Sequence, residues 1–271
     1  MPAFRTNPRA QSAALESHVL RDNPRLSFDP RKLDTDLLVW ARSDLGTIMN
    51  DSTVSAWADY SGGGNGFAQG TASNQPTLNV GGLGGRPELF FDGSDDHMDG
   101  ASPFGMITAK DSWTIVVVCG NGWTYGGSSG NFYQGRMIFG GSGSGAAWPS
   151  LGCSAVVGNQ PRGGFWNGAI NPTCVTHNIT AGEPFILALI DDSGDMFGRL
   201  NGEDGATYSS AGSIQSIATG FTLGKGPDLV SAQWDWWNAG VSEMLVFDGA
   251  LDEVQLGNLD TYLGDRYGIQ L

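Results

Sequence analysis

Histidine and cysteine are scarce in this sequence, three of each in 271 residues, and Lys and Arg together number only 14. His18, His97 and His177 are scattered, and none stands at a zinc-ligand spacing from Cys119, Cys153 or Cys174. Three cysteines cannot form a disulfide framework. Cys119 ends an apolar run and reads as a small buried hydrophobe, while a Cys153–Cys174 bridge stays open as an alternative. With 28 acidic residues the formal net charge is −14, which excludes the basic face that nucleic-acid binding requires. Long apolar stretches are also missing. The longest aliphatic-rich run after the N-terminus, Phe185–Ile190, is six residues and too short to span a bilayer, so no membrane insertion is expected. Arg5, Arg9 and Glu16 interrupt the first twenty residues, whose longest apolar run is Ala13–Leu15. No signal peptide is read there, and the expected place of synthesis and assembly is a cytoplasm.

What is abundant is glycine, 42 residues, with nine Trp, thirteen Phe and six Tyr. Charged residues are only 15%, so long helices with dense outer charge are disfavoured and short strands joined by tight turns are favoured. The aromatic content is too high for a disordered chain.

Charge divides the sequence unevenly. Residues 1–44 hold seven of the 14 basic and six of the 28 acidic residues, a balance of +1 that leaves the remainder at −15. Residues 1–36 contain four of the twelve prolines and too few apolar residues for a core, and they read as an extended N-terminal arm. Arg5, Arg9, Arg21, Arg25, Arg31 and Lys32 are its candidate anchoring residues, suited to charge-assisted bonds with carboxylates on a partner. The remainder, 37–271, reads as one domain.

Strands are expected at Leu37–Trp40, Leu89–Phe91, Trp113–Cys119, Met137–Phe139, Ala155–Val157, Gly164–Trp166, Thr173–Thr176, Phe185–Ile190, Met196–Leu200, Phe221–Leu223 and Val241–Phe247. Such short, numerous strands predict an all-β, two-sheet antiparallel sandwich. One helix is expected at the C-terminus. Asp252 caps it, Gln255 completes a capping box, Leu259, Tyr262, Leu263 and Tyr267 form its apolar stripe, and Gly268 stops it.

Several segments resemble a known family. Val54–Gly62 with Gly64-Asn65, Ala68-Gln69 and Gln75-Pro76, then Gly85–Asp96, Gly198–Glu203, and Gly240–Phe247 with the helix ending Arg266-Tyr267-Gly268-Ile269 are similar to laminin-G-like, concanavalin A-like jelly rolls. These marks run from about Leu37 to Ile269. With its appended arm and no secretion signal, the chain is similar to accessory virion proteins of tailed bacteriophages. The resemblance implies a virion location, with capsid or tail proteins of the same particle, further copies of the chain, and host glycan as partners. Trp57, Trp113 and Phe91 are read as core, and Asp59 and Asp92 as side chains that bond nearby backbone N–H groups in turns.

Glucanases of this fold place carboxylates on a Glu-x-Asp-x-Glu strand, whereas the glutamates here are never closer than ten residues apart. Gly126–Gly130 matches a nucleophile-elbow pattern, but no helical pattern follows it. No enzyme activity is therefore expected. Calcium is the one metal weighed, with Asp92, Asp95, Asp96 and Asp99 as ligands offering hard oxygen atoms. Candidate glycan-binding residues are Trp234, Asp235, Trp236, Trp237 and Asn238, with Trp123, Trp148 and Trp166, because sugar rings stack on aromatic faces beside polar side chains. The alternative for these rings is cover for glycine-rich loops or a subunit interface. The expected role is a non-enzymatic virion decoration or fibre-type protein of capsid or tail, with a glycan-binding adhesin as the alternative and, behind both, a secreted carbohydrate-active enzyme.

Overall fold

Along Trp113–Cys119 every residue is buried, yet successive side chains enter two different cores. Trp113, Ile115, Val117 and Cys119 point one way, and Val116 and Val118 the other. That alternation is the two-residue pleat of a strand covered on both faces, and it explains an apolar run interrupted only by Thr114. The same division separates Phe185, Leu187 and Leu189 from Ile186, Ala188 and Ile190, and Met244 and Val246 from Leu245 and Phe247.

The computed structural model describes residues 28–100, 112–124, 136–142, 148–154, 160–166, 173–175, 180–209, 220–225 and 235–271. In chain order the strands begin with β1 (Asp36–Arg42), β2 (Thr47–Asn50), β3 (Thr53–Trp57), β4 (Phe67–Ala68), β5 (Thr77–Asn79) and β6 (Glu88–Phe90). There follow β7 (Met98–Gly100), β8 (Ser112–Cys119), β9 (Arg136–Ser142), β10 (Trp148–Ser154), β11 (Gln160–Trp166) and β12 (Thr173–Val175). The last are β13 (Phe185–Asp192), β14 (Asp195–Leu200), β15 (Glu203–Ser209), β16 (Gly220–Leu223), β17 (Asp235–Trp236) and β18 (Gly240–Asp248), before helix α1 (Glu253–Tyr267).

One layer pairs β1 and β6 with β18, then β18 with β8, β13, β14 and β15 in turn. The other runs β2, β3, β4, β7, β16, β9, β10, β11 and β12, and β5 links the layers by pairing with β3 and β6. Every described ladder is antiparallel except the two-residue β17, which runs parallel to β9. The result is the all-β jelly-roll sandwich. Trp57, Trp113 and Phe91 are fully buried in the inter-sheet core, as is Cys119.

Helix α1 starts and stops as its sequence dictates. Asp252 Oδ1 accepts the Gln255 N–H at 2.8 Å, Gln255 Oε1 accepts the Asp252 N–H at 2.9 Å, and Gly268 closes the end at φ 70°. Leu259, Tyr262, Leu263 and Tyr267 pack on the outer face of the β18–β8–β13 layer. Between helix and sheet lies a polar network. Glu243, with no exposed surface, accepts from Trp40 Nε1 at 2.6 Å and from Tyr267 OH at 2.8 Å. Arg266 Nε stands 3.3 Å from Glu243 Oε2, and its Nη2 reaches Asp44 Oδ2 at 2.5 Å. Burial alone would raise the Asp44 carboxyl, but Arg266, Arg42 and Arg86 around it hold it below the ordinary range. Burial, then the Glu243 charge, push the Tyr262 and Tyr267 phenols up, so both remain hydrogen-bond donors.

Residues 28–36, which the sequence assigns to the arm, lie on the body. Phe28 stacks 5.3 Å from Tyr262, Pro30 is buried, and Leu33 packs on the same cluster. Arg31 pairs with Asp29 at 2.8 Å and stands 5.1 Å from the Trp40 ring centre; Lys32 is exposed. Arg5, Arg9, Arg21 and Arg25 lie outside the described residues. So does the strand expected at Ala155–Val157; β10 ends at Ser154. The Cys153–Cys174 alternative fails on register. Those residues sit on β10 and β12, two strands separated by β11. Two strand spacings are about 10 Å, beyond the roughly 7 Å that a disulfide spans between Cα atoms.

Candidate functional site

Beyond β6 the chain turns back on itself through four aspartate-mediated bonds. Asp92 Oδ1 accepts the N–H groups of Ser94 at 2.8 Å and Asp95 at 3.3 Å, and Asp96 Oδ2 accepts the Asp92 N–H at 3.0 Å. His97 Nδ1 donates to the Asp95 carbonyl at 2.8 Å, which fixes the ring against the loop. Asp59 serves its turn in the same way, taking the N–H groups of Ser61, Asn65 and Trp40.

This acidic loop is pressed against the tryptophan-rich segment. Arg136 Nη1 donates to the Trp236 carbonyl at 2.8 Å and to the Gly93 carbonyl at 3.4 Å, so one guanidinium clamps the two together. Gly93 is required at this contact. It has φ 80°, and a Cβ there would meet Asn238 Cβ at 2.6 Å. Trp236 is half-buried, its ring 5.6 Å from His97, with Lys225 Nζ 5.7 Å from the ring centre. Asn238 binds the neighbouring loop, taking the Thr124 N–H at 3.2 Å and donating to Thr124 Oγ1 at 2.7 Å.

Asp92, Asp95 and Asp96 each offer an oxygen within 4.8 Å of the others. Burial, then the charges of Asp92 and Asp95, raise the Asp96 carboxyl to about 6, although the Asp92 N–H bond opposes the shift. A divalent cation would relieve that repulsion, and carboxylate oxygens fit the calcium preference. Asp99 does not join them. It lies on β7, where it accepts from Thr222 Oγ1 at 3.3 Å.

The aromatic candidates separate. Trp237 and Trp123 are buried in the inter-sheet core, edge-on to Phe185 at 6.4 and 5.7 Å, with Trp123 Nε1 bonded to the Glu183 carbonyl at 2.6 Å. Neither ring presents a face to a ligand, which corrects the reading of both as binding platforms. Trp237 follows β17 and Trp123 follows β8 in irregular segments, and both rings turn inward onto Phe185. Trp148 and Trp166 stand directly opposite one another in the β10–β11 ladder, and Asp235 pairs with Arg136 across β17 and β9. Trp234 and the Gly126–Gly130 segment lie outside the described residues. His97, Arg136 and Lys225 had no signal in sequence, because only the fold brings them to Trp236.

No family model and no curated protein matches this chain. Solved structures do. Domain 4 of AbnA, a GH43 extracellular arabinanase from Geobacillus stearothermophilus, in complex with arabinotriose, matches with TM-score 0.57 and 16% identity over 83% of this chain and 98% of that one. The receptor-binding domain of botulinum neurotoxin type G matches with TM-score 0.55 and 12% identity, over 84% of this chain and 52% of that one. Trypanosoma rangeli sialidase in complex with sialic acid matches with TM-score 0.52 and 17% identity, over 84% of this chain but 33% of the enzyme. At these identities the likeness establishes the fold.

Proposed function

We propose that this chain is a non-catalytic, glycan-binding jelly-roll module whose binding surface centres on Trp236. One observation carries the reading: Arg136 joins a partly exposed tryptophan to a loop of three converging carboxylates. An aromatic face stacks on a sugar ring, and the neighbouring His97 and acidic side chains bond its hydroxyls. Calcium at Asp92, Asp95 and Asp96 would neutralise the loop and fix its shape. The arabinotriose and sialic acid complexes among the structural neighbours support a sugar ligand for this fold. Support for a non-catalytic role is the missing Glu-x-Asp-x-Glu strand, together with the engagement of Glu243 in holding α1 to the sheet.

The module's place, in this proposal, is on a bacteriophage particle, as a decoration or fibre-type protein of capsid or tail. The observation favouring it is the charge division, a near-neutral Arg-bearing start before a body at −15. Imaging particles with and without this protein tests the placement, and unchanged density would refute it. Calorimetric titration with calcium, repeated on Asp92→Asn, tests the cation. Saturable binding lost in the variant is expected; no heat, or equal heat from both proteins, would remove calcium from the account.

A further inference from the structure

The largest exposed apolar side chains outside α1 and the C-terminus gather on β2 to β6. Ile48 is 60% exposed, Met49 43%, Val80 71% and Phe90 36%. Register places Ile48 and Phe90 on one face, while Met49, opposite core-facing Val54, is exposed at the β2 edge and Val80 follows β5. Ile48 lies opposite Ala56, which lies opposite Ala68; Thr53 lies opposite Thr77, which lies opposite Phe90. Directly paired residues share a sheet face, and Val54 and Trp57 take the core side, so these rows form the outer face. Glu88 is the one charged residue in β2 to β6, and it is 4% exposed. Strands without an exposed charge are unexpected on a chain of net charge −14; the nearest charge at the β2 end is Asp51, exposed in the β2–β3 turn.

The face ends in an open edge. Among the described residues β2 pairs only with β3. Edges are ordinarily guarded by lysine, proline, inward charge or a bulge in the edge strand itself. The four residues of β2, Thr-Ile-Met-Asn, carry no charge and no proline, and the extra residue of the bulge is Ser55, on β3 rather than on β2.

We propose that β2 and this outer face hold a second copy of the same chain, in a two-fold contact with β2 antiparallel to the partner's β2. Two bodies of −14 repel over most of their surfaces, and this patch is where they can meet without opposing like charges. A charged partner would find no counter-charge there, whereas a patch of Ile, Met, Thr, Ala and Phe is complementary to itself. A two-fold axis through Ile48 sets Ile48 opposite the partner's Ile48 and Thr47 opposite the partner's Met49, so that directly paired residues share a face. The inference is independent of the glycan reading.

Sedimentation velocity of the full chain at micromolar concentration tests it. The expected result is a dimer, or an even-numbered assembly built from it, that tightens as salt screens the mutual repulsion. Ile48→Lys should shift the dimer to monomer with the melting temperature retained, since the side chain is exposed. Met49→Glu, at the adjacent edge position, should do the same, and it answers the question should Ile48→Lys fold poorly. A wild-type monomer at every concentration, a trimer, or a dimer unmoved by both charges would overturn the proposal.

Discussion

The imidazole of His97 lies 5.6 Å from the ring of Trp236, so the end of the acidic loop and the tryptophan-rich segment form a single surface. Neighbouring tryptophans in that segment have opposite tasks. Trp237 fills the core and Trp236 covers the loop. Truncating Trp237 to alanine should cost about 3–5 kcal/mol, as for a fully buried large side chain. Trp236→Ala should cost less, about 1.5 kcal/mol, since the residue is only partly buried. Urea unfolding of the two variants checks the order, and the reverse order would contradict the assignment.

Glu88 supplies a pH signature. Its carboxyl is buried, Asn79 Nδ2 bonds Oε1 at 2.9 Å, and Oε2 has no hydrogen-bond partner. Burial raises its pKa above the usual 4.5, so the folded state holds the proton more tightly than the unfolded state. Stability is then greatest in acid and falls as pH rises through the unfolded value toward the folded one. Glu88→Gln should remove this part of the pH dependence, matching wild type at low pH and equalling or exceeding it at pH 8. Thermal melts across that range decide. A deficit that grows as pH rises would show that the ionised carboxylate is needed, and one equal at all pH values would show that Glu88 carries none of the pH dependence.

The Glu243 network gives a third expectation. Arg266→Met strands a carboxylate that has no exposed surface and should cost about 3–5 kcal/mol. Replacing both residues, Glu243→Leu with Arg266→Met, should recover much of that loss, because the uncompensated charge is gone. Chemical denaturation of the single and double variants is the measurement. A single variant as stable as wild type would mean that α1 is held by its apolar stripe alone.

What the sequence showed of this fold follows from where the information lies. The capping box of Asp252 and Gln255 and the stop at Gly268 are local chemistry, and both are observed. Trp113–Cys119 and Phe185–Ile190 are apolar on both faces and announce central strands. Strands β2, β4, β5 and β7 are short and rich in Thr, Asn, Gly and Ala, and exist only through their partners, so no local pattern marks them. Trp123 misled because glycine-rich surroundings suggest an exposed loop, and Trp237 because Asp235 and Asn238 flank it; both lie in irregular segments that packing turns into the core. The contact of Arg136 with Gly93 and Trp236 is wholly tertiary.

Truncation separates arm from body. Removing residues 1–27 should leave the melting temperature nearly unchanged and, on the proposed particle placement, abolish incorporation into particles. Removing 1–36 should lower it as well, since Phe28, Pro30 and Leu33 pack around Tyr262 and Trp40. Normal occupancy of the shorter deletion on particles would show that the jelly roll itself makes the contact.

The most direct test of the account is glycan-array binding by the wild-type chain and by Trp236→Ala, followed by calorimetry on any sugar retained. Saturable binding by the wild type, lost in a variant that keeps its fold, is the predicted result. A wild-type chain that binds no glycan, or a Trp236→Ala variant that binds with unchanged affinity, would contradict it.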